Sequence, residues 1–249
     1  MRYVVEVMYD GTCFHGSQVQ GDTPTVQLEL NKALSTLFRK PIETYGASRT
    51  DEGVHALSNF YHFDLESEPP AELQYKCNAI LPEGMAVKKI YRAVNPEFNC
   101  RFEALSRTYR YRIYKAKNPF LVNRAFQFPY KLRRDVLDET AAILKEYSLF
   151  ESFSKRNSQS KTFICNIMQS HWLDVGDELH YIVEANRFLR GMVRGLVATQ
   201  LHIARGSLTT ADFRNIIDAQ NCTKARFNVP GHGLYLEEVK YGEGVMVAF

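Results

Sequence analysis

Residues 42–65, Ile-Glu-Thr-Tyr-Gly-Ala-Ser-Arg-Thr-Asp-Glu-Gly-Val-His-Ala-Leu-Ser-Asn-Phe-Tyr-His-Phe-Asp-Leu, hold the key to this chain's architecture. Residues 42–47 and 57–65 both read as strands, the second with Phe60 and Tyr61 inside it. Between them runs a link of small and turn-prone residues around a single acid. Asp51 stands two residues after Arg49 and two before Gly53, so the link presents one carboxylate on a tight loop.

Working outward, residues 2–9 alternate apolar and polar like a strand and end at the turn pair Asp10-Gly11. Pro24 opens a helix whose Val26, Leu30, Leu34 and Leu37 fall on one face. Beyond residue 65, Pro69-Pro70 leads into a short helix through Leu73, Cys77 and Ile80, and residues 85–94 read as a strand. The order is β-α-β-β-α-β. The second half repeats it with one extra helix: a strand over 106–115, a helix over 133–147 and a hairpin of 167–175 and 179–186 joined at Gly176-Asp177. Helices follow over 188–204 and 209–220, the latter with Thr209 as N-cap, and a last strand over 234–241. An α+β architecture is expected: two ferredoxin-like halves, 1–103 and 104–249, each an antiparallel sheet flanked by helices, with a cleft between them.

Composition narrows the function. Hydrophobic residues make up 45% of the 249 and aromatics 12%, enough for a folded core. No apolar run approaches the ~20 residues that span a bilayer, and the N-terminus has no signal-peptide pattern. Five scattered cysteines form no C-x-x-C pair, which argues against a zinc site and a disulfide framework and for a reducing, cytoplasmic setting. No H-x-x-x-H, Walker loop or G-x-G-x-x-G occurs, so neither a metal nor a nucleotide cofactor is expected. His55 and His62 read as satisfied polar residues.

The net charge of +3 is unevenly shared: residues 1–103 carry 10 Lys and Arg against 14 Asp and Glu, residues 104–249 carry 21 against 14. Within 101–117, Arg101, Arg107, Arg110, Arg112, Lys115 and Lys117 alternate with Phe102, Tyr109, Tyr111 and Tyr114. Such a run can neutralise phosphates and stack on bases, or it can be a solvated edge strand. On the helix read from 188 onward, Arg187, Arg190 and Arg194 recur along one face, beside Gly191 and Gly195, small residues that permit close approach by backbone or ligand.

These motifs resemble, in order, those of the tRNA pseudouridine synthase A (TruA) family. Gly46 to Ala56 is similar to its signature loop, and Asp51 matches the catalytic aspartate. Ala185 to Arg194 looks like the second motif, with Arg194 at the active-site arginine. Arg107 to Tyr114 resembles the third, with Tyr109 at the active-site tyrosine. Gly233 to Leu236 resembles the fourth, with Leu234 lining the base pocket. Tyr9-Asp10-Gly11 and Gly16-Ser17-Gln18 also fit, and 158–166 fits loosely, with Cys165 where an arginine is common. Ser17 and Ser48 depart from the pattern, near surfaces expected to meet RNA.

The resemblance implies a cofactor-free enzyme that isomerises uridine to pseudouridine at positions 38, 39 and 40 of the tRNA anticodon stem-loop, acting as a homodimer. Asp51 would attack C1′ or remove the C2′ proton, kept ionised by Arg194. Tyr109 would stack on the flipped base, and Arg49 would fill its place or clamp a phosphate. Arg107, Arg110, Arg112, Arg187 and Arg190 are the expected RNA contacts. The same chemistry on ribosomal RNA or other tRNA sites, and a non-catalytic RNA-binding module, are the alternatives.

Overall fold

In the computed structural model, which describes residues 1–156 and 160–249, strand β1 (Arg2–Tyr9) turns Tyr3, Val5, Val7 and Tyr9 to one side of its pleat, all buried. Helix α1 (Val26–Phe38) begins at Thr25, whose hydroxyl accepts the Leu28 N–H at 3.3 Å. Its last residue, Phe38, meets Phe63 of β3 (His55–Asp64) with ring centroids 6.5 Å apart, and Phe63 pairs directly with Tyr3. Apolar rings thus tie the helix to the sheet.

Two units divide the chain: Met1–Leu105 with Tyr235–Phe249, and Ser106–Leu234. In the first, β1 lies between β3 and β4 (Met85–Ala93), antiparallel to both, and α2 (Leu73–Ile80) precedes β4. The far edge of β3 takes β2 (Tyr45–Gly46) at one end, antiparallel, and β9 (Leu234–Lys240) at the other, parallel, through His55↔Tyr235 and Ala56↔Leu236. A short strand near the C-terminus, β10 (Met246–Ala248), covers β4.

In the second unit, β8 (Glu178–Ala185) lies between β5 (Ser106–Tyr114) and β7 (Ile167–Val175), antiparallel to both, and β6 (Phe126–Gln127) adds to β5 in parallel. Helices α3 (Arg134–Ile143), α4 (Met192–His202) and α5 (Thr210–Asp218) complete it. Trp172, its ring tilted against Tyr181, donates its indole N–H to Gln200 of α4 at 2.9 Å, which pins the helix to the sheet face. Thr209 caps α5 in a reciprocal box with Asp212, as its sequence implies. The structure is mixed α/β with mostly antiparallel strands.

Three expected elements differ. The strand over 42–47 shrinks to Tyr45–Gly46, because Ile42 N–H goes to Ser35 Oγ (2.8 Å) and Thr44 N–H to Asn31 Oδ1 (3.0 Å), side chains of α1, instead of to a strand. The helix over 133–147 stops at Ile143 and tightens into a 3₁₀ turn at Leu144–Glu146. The helix over 188–204 starts only at Met192. Gly191, at φ 72°, is its left-handed N-cap, and Arg187 and Arg190 precede it, so no helical face carries the three arginines. Nor does Gly195 open the helix to a ligand, since a Cβ there would lie 2.8 Å from the Phe227 ring.

Candidate active site

Asp51 lies on the loop between β2 and β3, and backbone geometry sets that loop. The Val54 N–H donates to Asp51 O (3.2 Å), closing a turn in which Gly53 takes φ 77°, a conformation costly for any residue with a Cβ. Gly53 N–H in turn donates to Gly11 O (3.2 Å). Gly11 must be glycine for space, because a Cβ would fall 2.0 Å from the Val54 carbonyl oxygen. The motif Tyr9-Asp10-Gly11 is therefore the platform under the loop.

Thr50 is anchored three ways. Its carbonyl accepts the Ser17 N–H (3.0 Å), its N–H donates to Ser17 Oγ (2.7 Å), and its hydroxyl bonds the Tyr9 hydroxyl (2.8 Å). Asn59 of β3 links the same group, donating to Ser48 O (3.0 Å) and Tyr9 Oη (3.2 Å). Burial pushes the Tyr9 phenol up to about 12, so it stays protonated as part of this scaffold. Asp51 itself is half-buried and Arg49 exposed, on either side of the anchored Thr50. A preorganised loop of this kind holds a carboxylate in place before substrate arrives.

Ser17 is 2% exposed, and its hydroxyl accepts the Thr50 N–H. Ser48 is half-buried, and its hydroxyl oxygen is buried without a hydrogen-bond partner. His55 accepts the Gly11 N–H (3.2 Å) and stacks on Tyr235 at 4.5 Å, a structural placement.

In the second unit the burial of β5 alternates. Arg107, Tyr109, Tyr111 and Ile113 form its buried side, and Thr108, Arg110 and Arg112 the more open one. The structure therefore separates Tyr109 from Arg110 and Arg112. Tyr109 meets Phe188 edge-on at 5.1 Å. Arg107 is buried and donates to Asn186 O (2.8 Å), while Arg112 grips Glu178 with two hydrogen bonds of 2.8 and 2.7 Å. Burial opposes ionisation of Glu178, but Arg112 and His180 outweigh it and lower its pKa. Arg194, half-buried on α4, donates Nε and Nη2 to Val229 O (3.0 and 2.7 Å). Arg187 donates to Thr162 Oγ1 (3.1 Å), Arg190 is exposed, and Leu234 is buried. Of the loosely matching segment 158–166, Ser158 and Gln159 lie outside the described residues.

Sequence reasoning missed a basic, aromatic cavity of about 440 Å³ in this unit. Phe128, Tyr130, His202, Arg205, Arg226 and Val229 line it, and the Arg205 guanidinium sits 3.8 Å over the Tyr130 ring. Burial, with Arg226 and Arg205 close by, lowers the His202 pKa. No linear signal marks it, because its walls come from separate stretches of chain. Among the described residues no group of three or more His, Cys, Asp or Glu is arranged to hold a metal ion, and no helix is long and apolar enough to cross a membrane.

The family described as tRNA pseudouridine synthase matches residues 6–103 and 148–242, and the chain belongs to it. Three relatives carry the description tRNA pseudouridine synthase A. That of Parabacteroides distasonis is 42% identical over 97% of this chain and 96% of its own. That of Bacteroides fragilis is 42% identical over 98% of both, and that of Porphyromonas gingivalis 37% identical over 96% and 97%.

Proposed function

We propose that this protein isomerises uridine to pseudouridine at positions 38, 39 and 40 of the tRNA anticodon stem-loop. The observation that carries the reading is Asp51, held on a loop anchored through Thr50, Gly53 and Val54, in a chain of the tRNA pseudouridine synthase family. The reaction breaks the N1–C1′ bond, turns the uracil and joins C5 to C1′; the C5 proton is lost and N1 regains one. It needs an ionised carboxylate, which attacks C1′ or takes the C2′ proton. The target base is first flipped from its stem at a cost of roughly a few kcal/mol.

In the same reading Arg194 supplies the positive charge that keeps the carboxylate ionised, Leu234 contacts the base, Tyr109 stacks on it and Arg49 takes the vacated place or clamps a phosphate. Arg110, Arg187 and Arg190 are assigned to phosphates. Arg107 and Arg112, already engaged with Asn186 and Glu178, are assigned to holding β5. The enzyme works as a cytoplasmic homodimer. Each half is read as ferredoxin-like: the antiparallel order β4-β1-β3-β2 supports this for the first, and β7-β8-β5 for the second.

The test is tritium release from C5-labelled tRNA, with pseudouridine mapping of the product. Wild type should release tritium and map to positions 38–40, and Asp51→Asn should release none while binding tRNA as tightly. Turnover by Asp51→Asn within about tenfold of wild type would remove the assignment.

A further inference from the structure

Beside the Asp51 loop, wholly within the first unit, lies a second cavity of about 330 Å³. Its lining includes Ser48 and Arg49 of that loop but not Asp51, so it is not the place where the reacting carbon sits. Three features of the lining call for a ligand. Two aromatic side chains remain open: Phe102 is 76% exposed and Tyr45 51%, although one face of Tyr45 already stacks on His62 at 5.3 Å. Two guanidiniums flank them, Arg49 and Arg101, the latter 5.5 Å from the Phe102 ring. The Ser48 hydroxyl oxygen is buried without a partner. One carboxylate, Glu43, also lines the cavity and accepts the Tyr45 hydroxyl at 3.0 Å.

Open aromatic faces between cations are the chemistry of single-stranded nucleic acid: rings stack on bases and guanidiniums neutralise the phosphates between them. A buried, unpaired hydroxyl is unfavourable, and a polar base edge can relieve it. Arg49 is two residues from Asp51, at most ~7 Å along the chain, so any nucleotide held here is close to the target in the RNA strand. We infer that this cavity is a subsite for a second, unpaired nucleobase of the substrate RNA, a near neighbour of the target uridine, stacked on Phe102 and Tyr45 and bonded at its edge by Ser48. The subsite deepens the proposed function and rests on it. It makes the base beside the target part of what the enzyme selects.

The experiment measures binding by the full-length Asp51→Asn protein to an anticodon stem-loop RNA in which one nucleotide at a time is abasic. Phe102→Ala, at an exposed position that leaves the fold intact, should weaken binding roughly tenfold, as should Tyr45→Ala. One abasic position should cost the Phe102 parent the same factor and cost Phe102→Ala nothing further. Ser48→Ala should blunt the preference among bases at that position alone. The inference falls if Phe102→Ala and Tyr45→Ala bind within about twofold of the parent, or if their losses multiply with every abasic position. Because the readout is binding, it is independent of turnover: wild-type protein that releases no tritium overturns the proposed function, whereas normal turnover with indifferent Phe102→Ala and Tyr45→Ala binding overturns only the subsite.

Discussion

Tyr109 combines two roles that substitutions can separate. Its ring packs edge-on against Phe188 and is 8% exposed, so it belongs to the core of its unit as well as to the proposed base-stacking surface. Tyr109→Phe keeps the ring and should retain both stability and tRNA affinity. Tyr109→Ala should lose about 3 kcal/mol of unfolding free energy in urea and roughly tenfold in affinity. An Ala variant that unfolds early yet binds normally would make the residue packing alone. His62 offers a pH handle. It is 3% exposed, its Nδ1 lies 3.1 Å from Cys100 Sγ, and burial, aided by Arg2, lowers its pKa to about 4. Unfolded, the imidazole titrates near 6.5, so between about 6.5 and 4 only the unfolded chain takes the proton. This contribution is complete above pH 6.5 and lost as pH falls toward 4, up to about 3 kcal/mol. His62→Gln should flatten that part of the urea-stability profile; an unchanged profile would show that His62 does not carry it.

At the level of elements, the start of α4 is the most informative boundary. A continuous helical pattern from Phe188 is interrupted by Gly191 at φ 72°, which turns the chain so that Lys155 N–H reaches Arg190 O (3.0 Å) and α4 begins with Met192. A Cβ at 191 would lie in the left-handed region and 2.9 Å from Lys155 Cγ. The flexible lysine can move, but the backbone strain stays. Gly191→Ala should therefore destabilise by ~1–2 kcal/mol in urea unfolding and loosen the hold of Arg194 on Val229. Equal midpoints for variant and wild type would mean that the turn tolerates a side chain. The hairpin of β7 and β8 shows the opposite case: Gly176-Asp177 is readable because its turn residues and flanking alternation agree.

At the scale of the whole molecule, charge is divided: 10 Lys and Arg against 14 acids in residues 1–103, and 21 against 14 in residues 104–249. Arg205, Arg226 and His202 line one cavity with Tyr130, a grouping expected to hold phosphates. Affinity for tRNA should fall linearly in a log–log plot against salt. Arg205→Ala and Arg226→Ala should each reduce the slope by about 1, and Lys89→Ala, in the acidic half, should not. If Lys89→Ala flattens the plot as much as Arg226→Ala, this cavity is not where the phosphates are held.

The sequence by itself determined the order of the longer strands and helices, though not the short β6 and β10, and it determined the loop that carries Asp51 and the family motifs, because periodicity, caps and turn residues act within a few positions of one another. It could not determine pairings made across the chain. The strand at Leu234–Lys240 joins β3 in parallel through Tyr235 and Leu236, a choice of partner its own pattern does not encode. Nor does alternation along 106–114 say which side is covered; burial of Arg107 and Tyr109, and of Ser17 under Thr50, follows from what packs against them. Both cavities are likewise assembled from distant segments, so their chemistry exists only once the chain has folded.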